Sequence, residues 1–370
     1  MIKIQSVRFT GIASLTIGLL LSVTAGQARA AFENGDLYLI TRALPTINNA
    51  IVQIDAATGS HTVLANLTGL VRPTLTWDPF RNRLLGADSS LTAGLMAIDA
   101  NGNVTFPAPA LSTPQIVASR GTGIVYLWSA GASLRYLDAA DASHDLLDIP
   151  GTGPYTVAVA PTAMIYDPGT NALFLFQGPP GNGSTLCPVL TATCVVKVPL
   201  TADGTQVAGV ATFAQFDVSL SNFETPSGAS YAPGGQLLVI VDTNSNAQEP
   251  RMLLVDPTTL ALSPWASNGP YTGAAVTNAG IYSSVLGQAV ILDTGLNQLR
   301  AYSMGETGNG TTFGSGLSGT GSGDVAYMVE IIVASPAVPG LSVGGLLLLA
   351  TGVGTIAGAA LLRRADLPRR

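Results

Sequence analysis

The 370-residue chain is poor in charge. Asp, Glu, Lys and Arg make up 10% of it, and lysine occurs only as Lys3 and Lys197. Histidine occurs twice, at His61 and His144, and cysteine twice, at Cys187 and Cys194. These shortages exclude several chemistries. A zinc set lacks ligands, because neither cysteine has a histidine or a further cysteine nearby to complete it. A nucleophilic triad needs an oriented histidine beside its nucleophile, whereas both histidines sit on polar strand edges beside Ser or Asp and are predicted to face solvent on outer strands. No Gly-x-Ser-x-Gly elbow occurs, and no phosphate loop with its lysine. Gly314-Ser-Gly-Leu-Ser-Gly319 has dinucleotide-loop spacing, but it lies in the Gly/Ser/Thr-rich run 305–323 with no helix after it and reads as a loop.

What the chain does have is 42 glycines and 23 prolines, a composition that suits many short strands joined by turns rather than a helical bundle. Between Ala31 and Gly340 there are 21 acidic residues against 8 Arg and 1 Lys, a net charge near −12. With no basic stripe to meet a phosphate backbone, nucleic acid is not expected as a partner.

The two ends differ from the rest. Lys3 and Arg8 precede an apolar stretch from Gly11 to Val23, and Ala28-Arg29-Ala30 offers a small-x-small cleavage site. Residues 1–30 therefore read as a secretory signal peptide, with Ala28 and Ala30 flanking the cut. In an exported chain, Cys187 and Cys194 with six residues between them read as a local disulfide closing a loop, with free thiols or a metal pair as the alternatives. At the other end, 22 consecutive residues from Leu341 to Leu362 carry no charge and are long enough to span a bilayer as a helix. Arg363, Arg364, Arg369 and Arg370 follow, and would keep the tail on the cytoplasmic side.

Just before that segment stands Pro336-Ala337-Val338-Pro339-Gly340-Leu341-Ser342-Val343-Gly344-Gly345-Leu346. A short Pro-containing motif, a hydrophobic helix and an Arg cluster resemble the exosortase-type C-terminal sorting signals of Gram-negative envelope proteins. The closer likeness is to the variant reading Ile-Pro-Thr-Leu-Ser-x-Trp-Gly. Val338, Pro339, Leu341, Ser342 and Gly345 match it, together with Arg363 and Arg364 of the basic cluster, while Gly340 and Gly344 replace its Thr and Trp. The resemblance covers residues 336–370 and implies recognition by a sorting protease of the inner membrane. An ordinary membrane anchor is the alternative, because a helix followed by arginines is generic.

The body, residues 31–335, consists of apolar runs broken by turns. One class of run ends in Asp at a turn, where a carboxylate can accept backbone N–H bonds: Ile51 to Asp55, Leu95 to Asp99, Leu134 to Asp138 and Met252 to Asp256. A second class reads as continuously buried strands beginning near residues 36, 82, 123, 172, 236 and 288. A third class precedes most of these, as in Leu75-Thr-Trp-Asp-Pro and Met164-Ile-Tyr-Asp-Pro. Such a period, with three or four strands each time, is the signature of a β-propeller. Six blades are counted, and the first lacks its innermost strand. The run Asp324–Val333 supplies that strand, so the last strand of the chain is predicted to close the ring. The interval 177–223 has room for a seventh blade, and a pair of β-sandwiches is the competing architecture.

Candidate sites are few. Asp242-Thr-Asn244-Ser-Asn246 alternates oxygen ligands as the start of a calcium loop does, but Ala247 and Leu253 stand where such a loop needs Gly and Glu, and an Asn/Asp turn is the simpler reading. Calcium is the one ion the pattern would suit, and no other cofactor is expected. Trp77, Trp128 and Trp265 would form a sugar platform if exposed, yet each lies in or beside an apolar strand and is predicted to pack in the core. Asp78-Pro79, Asp167-Pro168 and Asp256-Pro257 read as turn chemistry. The sequence thus points to an exported binding or display module for an extracellular protein or glycan, held to the membrane by its C-terminal helix. The alternative is a calcium-dependent hydrolase or lactonase, with Glu33, Glu224, Asp242 and Glu330 as its only loosely placed acids.

Overall fold

The computed structural model describes residues 32–332 except 42–48, 71–72, 89–94, 109–113, 130–132, 150–152, 158–160, 178–193, 216–223, 244–250, 266–276, 294–297, 307–309, 316 and 318–325. The expected signal peptide 1–30 with Ala28 and Ala30, the 338–345 stretch that resembles a sorting motif, the 341–362 segment and Arg363 and Arg364 lie outside the described residues. Among those described, no helix is long and apolar enough to cross a membrane.

In chain order the strands are β1 (Leu37–Thr41), β2 (Ala50–Ile54) and β3 (His61–Asn66); β4 (Thr74–Asp78), β5 (Arg83–Ala87), β6 (Leu95–Ile98) and β7 (Val104–Ala108); β8 (Pro114–Ser119), β9 (Val125–Ser129), β10 (Leu134–Leu137) and β11 (Ser143–Asp145). Then come β12 (Ala163–Asp167), β13 (Ala172–Gln177), β14 (Cys194–Pro199) and β15 (Thr212–Gln215); β16 (Glu224–Tyr231), β17 (Leu237–Thr243), β18 (Arg251–Val255) and β19 (Leu262–Pro264); β20 (Thr277–Ser283), β21 (Gln288–Asp293), β22 (Gln298–Tyr302) and β23 (Thr311–Ser315); and finally β24 (Ala326–Glu330).

These form six four-stranded antiparallel sheets, each a sequential meander except the first, whose order is β24-β1-β2-β3. The innermost strands β4, β8, β12, β16, β20 and β24 each touch the next around a ring. The fold is therefore a six-bladed β-propeller, with blade 1 completed by the last strand of the chain. β24 pairs β1 from Leu37↔Glu330 to Thr41↔Ala326. The chain enters and leaves the ring side by side: Gly35 N–H donates to the Ile331 carbonyl at 2.8 Å, and Ile331 N–H to the Asp36 carbonyl at 2.9 Å. The described residues of the interval 177–223 form no seventh blade. They carry β14 and β15, the outer half of blade 4.

Burial explains the sequence classes. The second strand of each blade has a neighbouring blade on both faces, so β1, β9 and β13 are buried at every position. The core lies between blades. One cluster joins blades 3 and 4 through Tyr126, Trp128, Leu173 and Val196, and another joins blades 1 and 6 through Leu37, Val52, Val290 and Leu299. Phe174 and Phe176, wholly buried in β13, each gain about 1.5–3 kcal/mol from leaving water. Outer strands have one covered face or none, and β3 and β11 are largely exposed.

The Asp-terminated runs are the third strands, and their turns form as the residue pattern requires. Asp55 Oδ1 accepts the Ala57 and Thr58 N–H groups at 2.7 and 3.0 Å, and Asp256 Oδ1 those of Thr258 and Thr259 at 2.8 and 2.9 Å. Asp99 and Asp138 do the same. Gly59 and Gly102 end two of these turns at φ +70° and +78°, and a Cβ on either would come within 2.0 Å of a carbonyl in the preceding blade. Only glycine allows both the backbone angle and that approach.

Candidate functional site

Antiparallel meanders place the turns between first and second strands, and those between third and fourth, at one end of every blade. At that end the innermost strands enclose a cavity of about 600 Å³. Each contributes its last residues: Thr76 and Trp77 from β4, Ser119 from β8, Ile165 and Tyr166 from β12, Ser230 and Tyr231 from β16, Tyr282 from β20, and Val329 and Glu330 from β24. Four rings are thus brought together from four blades. Volume and composition fall within the range of small-molecule sites.

The local sequence accounts for those rings. Trp77-Asp78-Pro79, Tyr166-Asp167-Pro168 and Tyr231-Ala232-Pro233 each put an aromatic residue one position before the turn that ends the innermost strand. Trp77 is 8% exposed and sends its Nε1–H to the Ile332 carbonyl at 3.2 Å; Phe32 packs edge-on against it at 5.0 Å. Tyr231 remains 39% exposed at the mouth, and its hydroxyl donates across the blade boundary to the Tyr166 carbonyl. Burial of that hydroxyl, with Asp167 and Tyr166 nearby, pushes the phenol well above its ordinary value. It stays a neutral donor at physiological pH.

Among the described residues, two charged ones line the cavity, and both are committed to the scaffold. Glu330 accepts the Ser284 N–H at 2.8 and 3.0 Å, the Ser283 hydroxyl at 3.1 Å and the Val285 N–H at 3.4 Å. Those donors belong to the β20–β21 turn of blade 6, so this carboxylate fastens the closing strand to the last blade. Arg120 reaches away toward blade 4, where it donates to Tyr166 Oη (3.2 Å), Asn171 Oδ1 (3.3 Å) and the Ala202 carbonyl (2.6 Å). Its NH1 lies against Gly204, where a Cβ would clash at 1.9 Å.

A related bond set ties blade 2 to blade 3. Asp78, wholly buried, pairs with Arg81 at 2.9 Å and Arg83 at 3.1 Å, and both arginines reach Asp141 in the β10–β11 turn. Asp78, Asp167 and Asp256 are therefore turn and inter-blade groups, as their Asp-Pro setting suggests. Asp167 Oδ2 takes both the N–H and the hydroxyl of Thr170.

The four acids considered for a metal do not converge. Glu330 stands at the tight-turn end of the channel, whereas Glu224 and Asp242 lie at the opposite end of blade 5, paired with Thr243 and Thr225. Glu33 precedes β1, is exposed and does not line the cavity. Asp242 is in β17, and Asn244 and Asn246 lie outside the described residues. Among the described residues no three His, Cys, Asp or Glu cluster as metal ligands. His61 and His144 are on the outermost strands β3 and β11, where His144 Nε2 lies 2.9 Å from Asp138 Oδ2. Trp128 and Trp265 are core residues, 6% and 1% exposed, and their Nε1–H groups donate to the Val157 and Tyr302 carbonyls. Cys194 opens β14 and is fully buried, while Cys187 lies outside the described residues.

No family model and no curated protein matches the chain. Solved structures do resemble it. A chain of a nidogen/laminin complex matches with a TM-score of 0.50 at 11% identity, over 79% of this chain and 98% of that one. A Xanthomonas campestris protein described as a gluconolactonase gives 0.41 at 15% identity over 77% and 87%. A Bacteroides fragilis protein described as a 6-phosphogluconolactonase gives 0.45 at 10% over 80% and 98%. At these identities the likeness is one of fold.

Proposed function

We propose that this propeller is a binding module exported to the cell envelope and sorted there through its C-terminal segment, with the aromatic mouth of the channel as its ligand site. One observation supports binding over hydrolysis: among the described residues that line the cavity, the one carboxylate and the one guanidinium already hold the ring together, and none is a histidine. A hydrolase needs a free acid, base or metal at the reacting bond. The signal-type N-terminus and the motif around Val338, Pro339 and Leu341, with Arg363 and Arg364 beyond the apolar run, support export and recognition by an exosortase-type protease.

The test of the module is metal content and EDTA-dependent melting of recombinant Ala31–Ala334, which contains the whole closed ring, followed by a lactone and ester screen. The reading expects unchanged melting and no turnover. A stoichiometric calcium ion whose removal lowers Tm, or measurable lactone hydrolysis, would overturn it in favour of a calcium-dependent lactonase. Sorting is tested separately in a host with exosortase. Full-length protein should change in mass and leave the inner membrane, and Pro339→Ala should hold it there unprocessed; identical processing of both would remove the sorting claim.

A further inference from the structure

The charge accounting at the mouth also says what kind of molecule the site takes, an inference that rests on the binding-module reading. Glu330 makes four contacts with the β20–β21 turn, and Arg120 three with blade 4. Neither can turn to a ligand without opening a blade boundary. Two of the serine hydroxyls are used as well: Ser119 Oγ accepts the Gly121 N–H at 3.1 Å, and Ser230 Oγ the Tyr282 N–H at 2.7 Å. Beyond these hydroxyls the lining is mostly carbon, from Tyr231, Tyr282, Ile165 and Val329, while Tyr166 lies at its edge, 5% exposed with its ring against Tyr126.

The rim continues this character. Ile332 and Tyr231 stand at the mouth 49% and 39% exposed, and Val285, in the neighbouring turn, is 54% exposed. Large apolar side chains left in water around one opening mark a binding surface more often than scattered ones do. A charged ligand entering here would lose its hydration and meet no free counter-charge among the described lining residues.

We propose that the tight-turn mouth of the channel binds an uncharged, largely apolar small molecule, with its ring or acyl portion between Ile165 of β12 and Val329 of β24, on opposite sides of the ring, and beside Tyr231 and Tyr282.

The probe for this is N-phenyl-1-naphthylamine, a neutral fluorophore, titrated into Ala31–Ala334 beside its anionic relative 8-anilino-1-naphthalenesulfonate. Saturable one-to-one binding of the neutral dye, at least tenfold tighter than that of the anionic one, is expected. Ile165→Glu and Val329→Glu should each weaken the neutral dye at least tenfold, with Ile165→Thr as a milder variant in case either fails to fold. Phe80→Ser, at an exposed turn that does not line the cavity, should leave binding unchanged. Non-saturable uptake, equal affinity for the two dyes, or indifference to the Ile165 and Val329 changes would overturn the proposal. Absent dye binding together with EDTA-insensitive melting and no turnover would discard the ligand class and leave the binding-module reading in place.

Discussion

Replacing Glu330 by alanine tests how the ring is held shut. Its carboxylate is 8% exposed and receives two backbone N–H groups and one hydroxyl from the turn of a different blade. A hydrogen bond to a charged group contributes about 1.5–3 kcal/mol, and a buried N–H left without a partner costs about 1–3 kcal/mol. The truncated site admits some water, so the net loss should be about 2–4 kcal/mol. For a domain of roughly 300 residues, that corresponds to a Tm lower by about 3–6 °C. Circular dichroism at neutral pH on Ala31–Ala334 reads the shift directly. Glu330→Gln keeps the shape and one acceptor but aims an amide N–H toward the Ser284 N–H, and should fall between the two. Ser283→Ala removes only a neutral partner and should cost about 1 kcal/mol. If Glu330→Ala melts within 1 °C of the parent, the carboxylate does not fasten the ring, and the reason for setting it aside as a ligand group fails with it.

Three other outcomes follow from the same geometry. Asp78→Ala leaves Arg81 and Arg83 without their buried partner and should cost about 3–5 kcal/mol, read as a lower urea midpoint; a loss under 1 kcal/mol would mean that solvent reaches the pair. Asp138 is held below the usual carboxylate range by its bond to His144 and by the Ala142 N–H, and Asp256 by the Thr259 and Thr258 N–H groups. A depressed folded-state value means that their stabilisation is complete above the unfolded value near pH 4 and is lost as pH falls through the folded one. Tm should therefore drop between pH 5 and pH 2, less steeply in Asp256→Asn, and a flat profile would contradict the assignment. Finally, protein prepared oxidised should show no titratable thiol until reduced, and reduction should lower Tm; two thiols that react freely in the folded oxidised preparation would remove the proposed Cys187–Cys194 bond.

Much of the fold was legible because the propeller repeats a local problem. A strand covered on both faces must be apolar throughout, as Ala172-Leu-Phe-Leu-Phe is, and a third strand must end in a side chain that satisfies its own turn, as Asp55 and Asp256 do. The closing strand was visible because blade 1 lacked its innermost member. The outer strands were less so: Ser143–Asp145 and Leu262–Pro264 have only three residues each and little to bury. The site itself was hidden. Glu330 looks like a spare acid until Ser284, 46 positions away, is known to donate to it, and Arg81 looks unpaired until Asp141 arrives from the next blade. Such pairings are set by the closed ring and have no sequence period. An aromatic residue next to a proline turn at the end of an innermost strand was the available signal, and Trp77, Tyr166 and Tyr231 share it.

The ring has a single seam, and both ends of the chain issue from it. Tension on the chain beyond Ile332 enters at the Trp77 Nε1–H bond to the Ile332 carbonyl, then at the Ile331–Asp36 bonds and the Leu37–Glu330 pair. The mechanical strength of the ring thus rests on one five-residue strand, the carboxylate at its end and the Trp77 bond beside it. Resistance to pulling would follow the rate at which that seam opens rather than the total stability of the propeller. Glu330 sits where the force arrives, so its effect on rupture should exceed its share of the folding free energy.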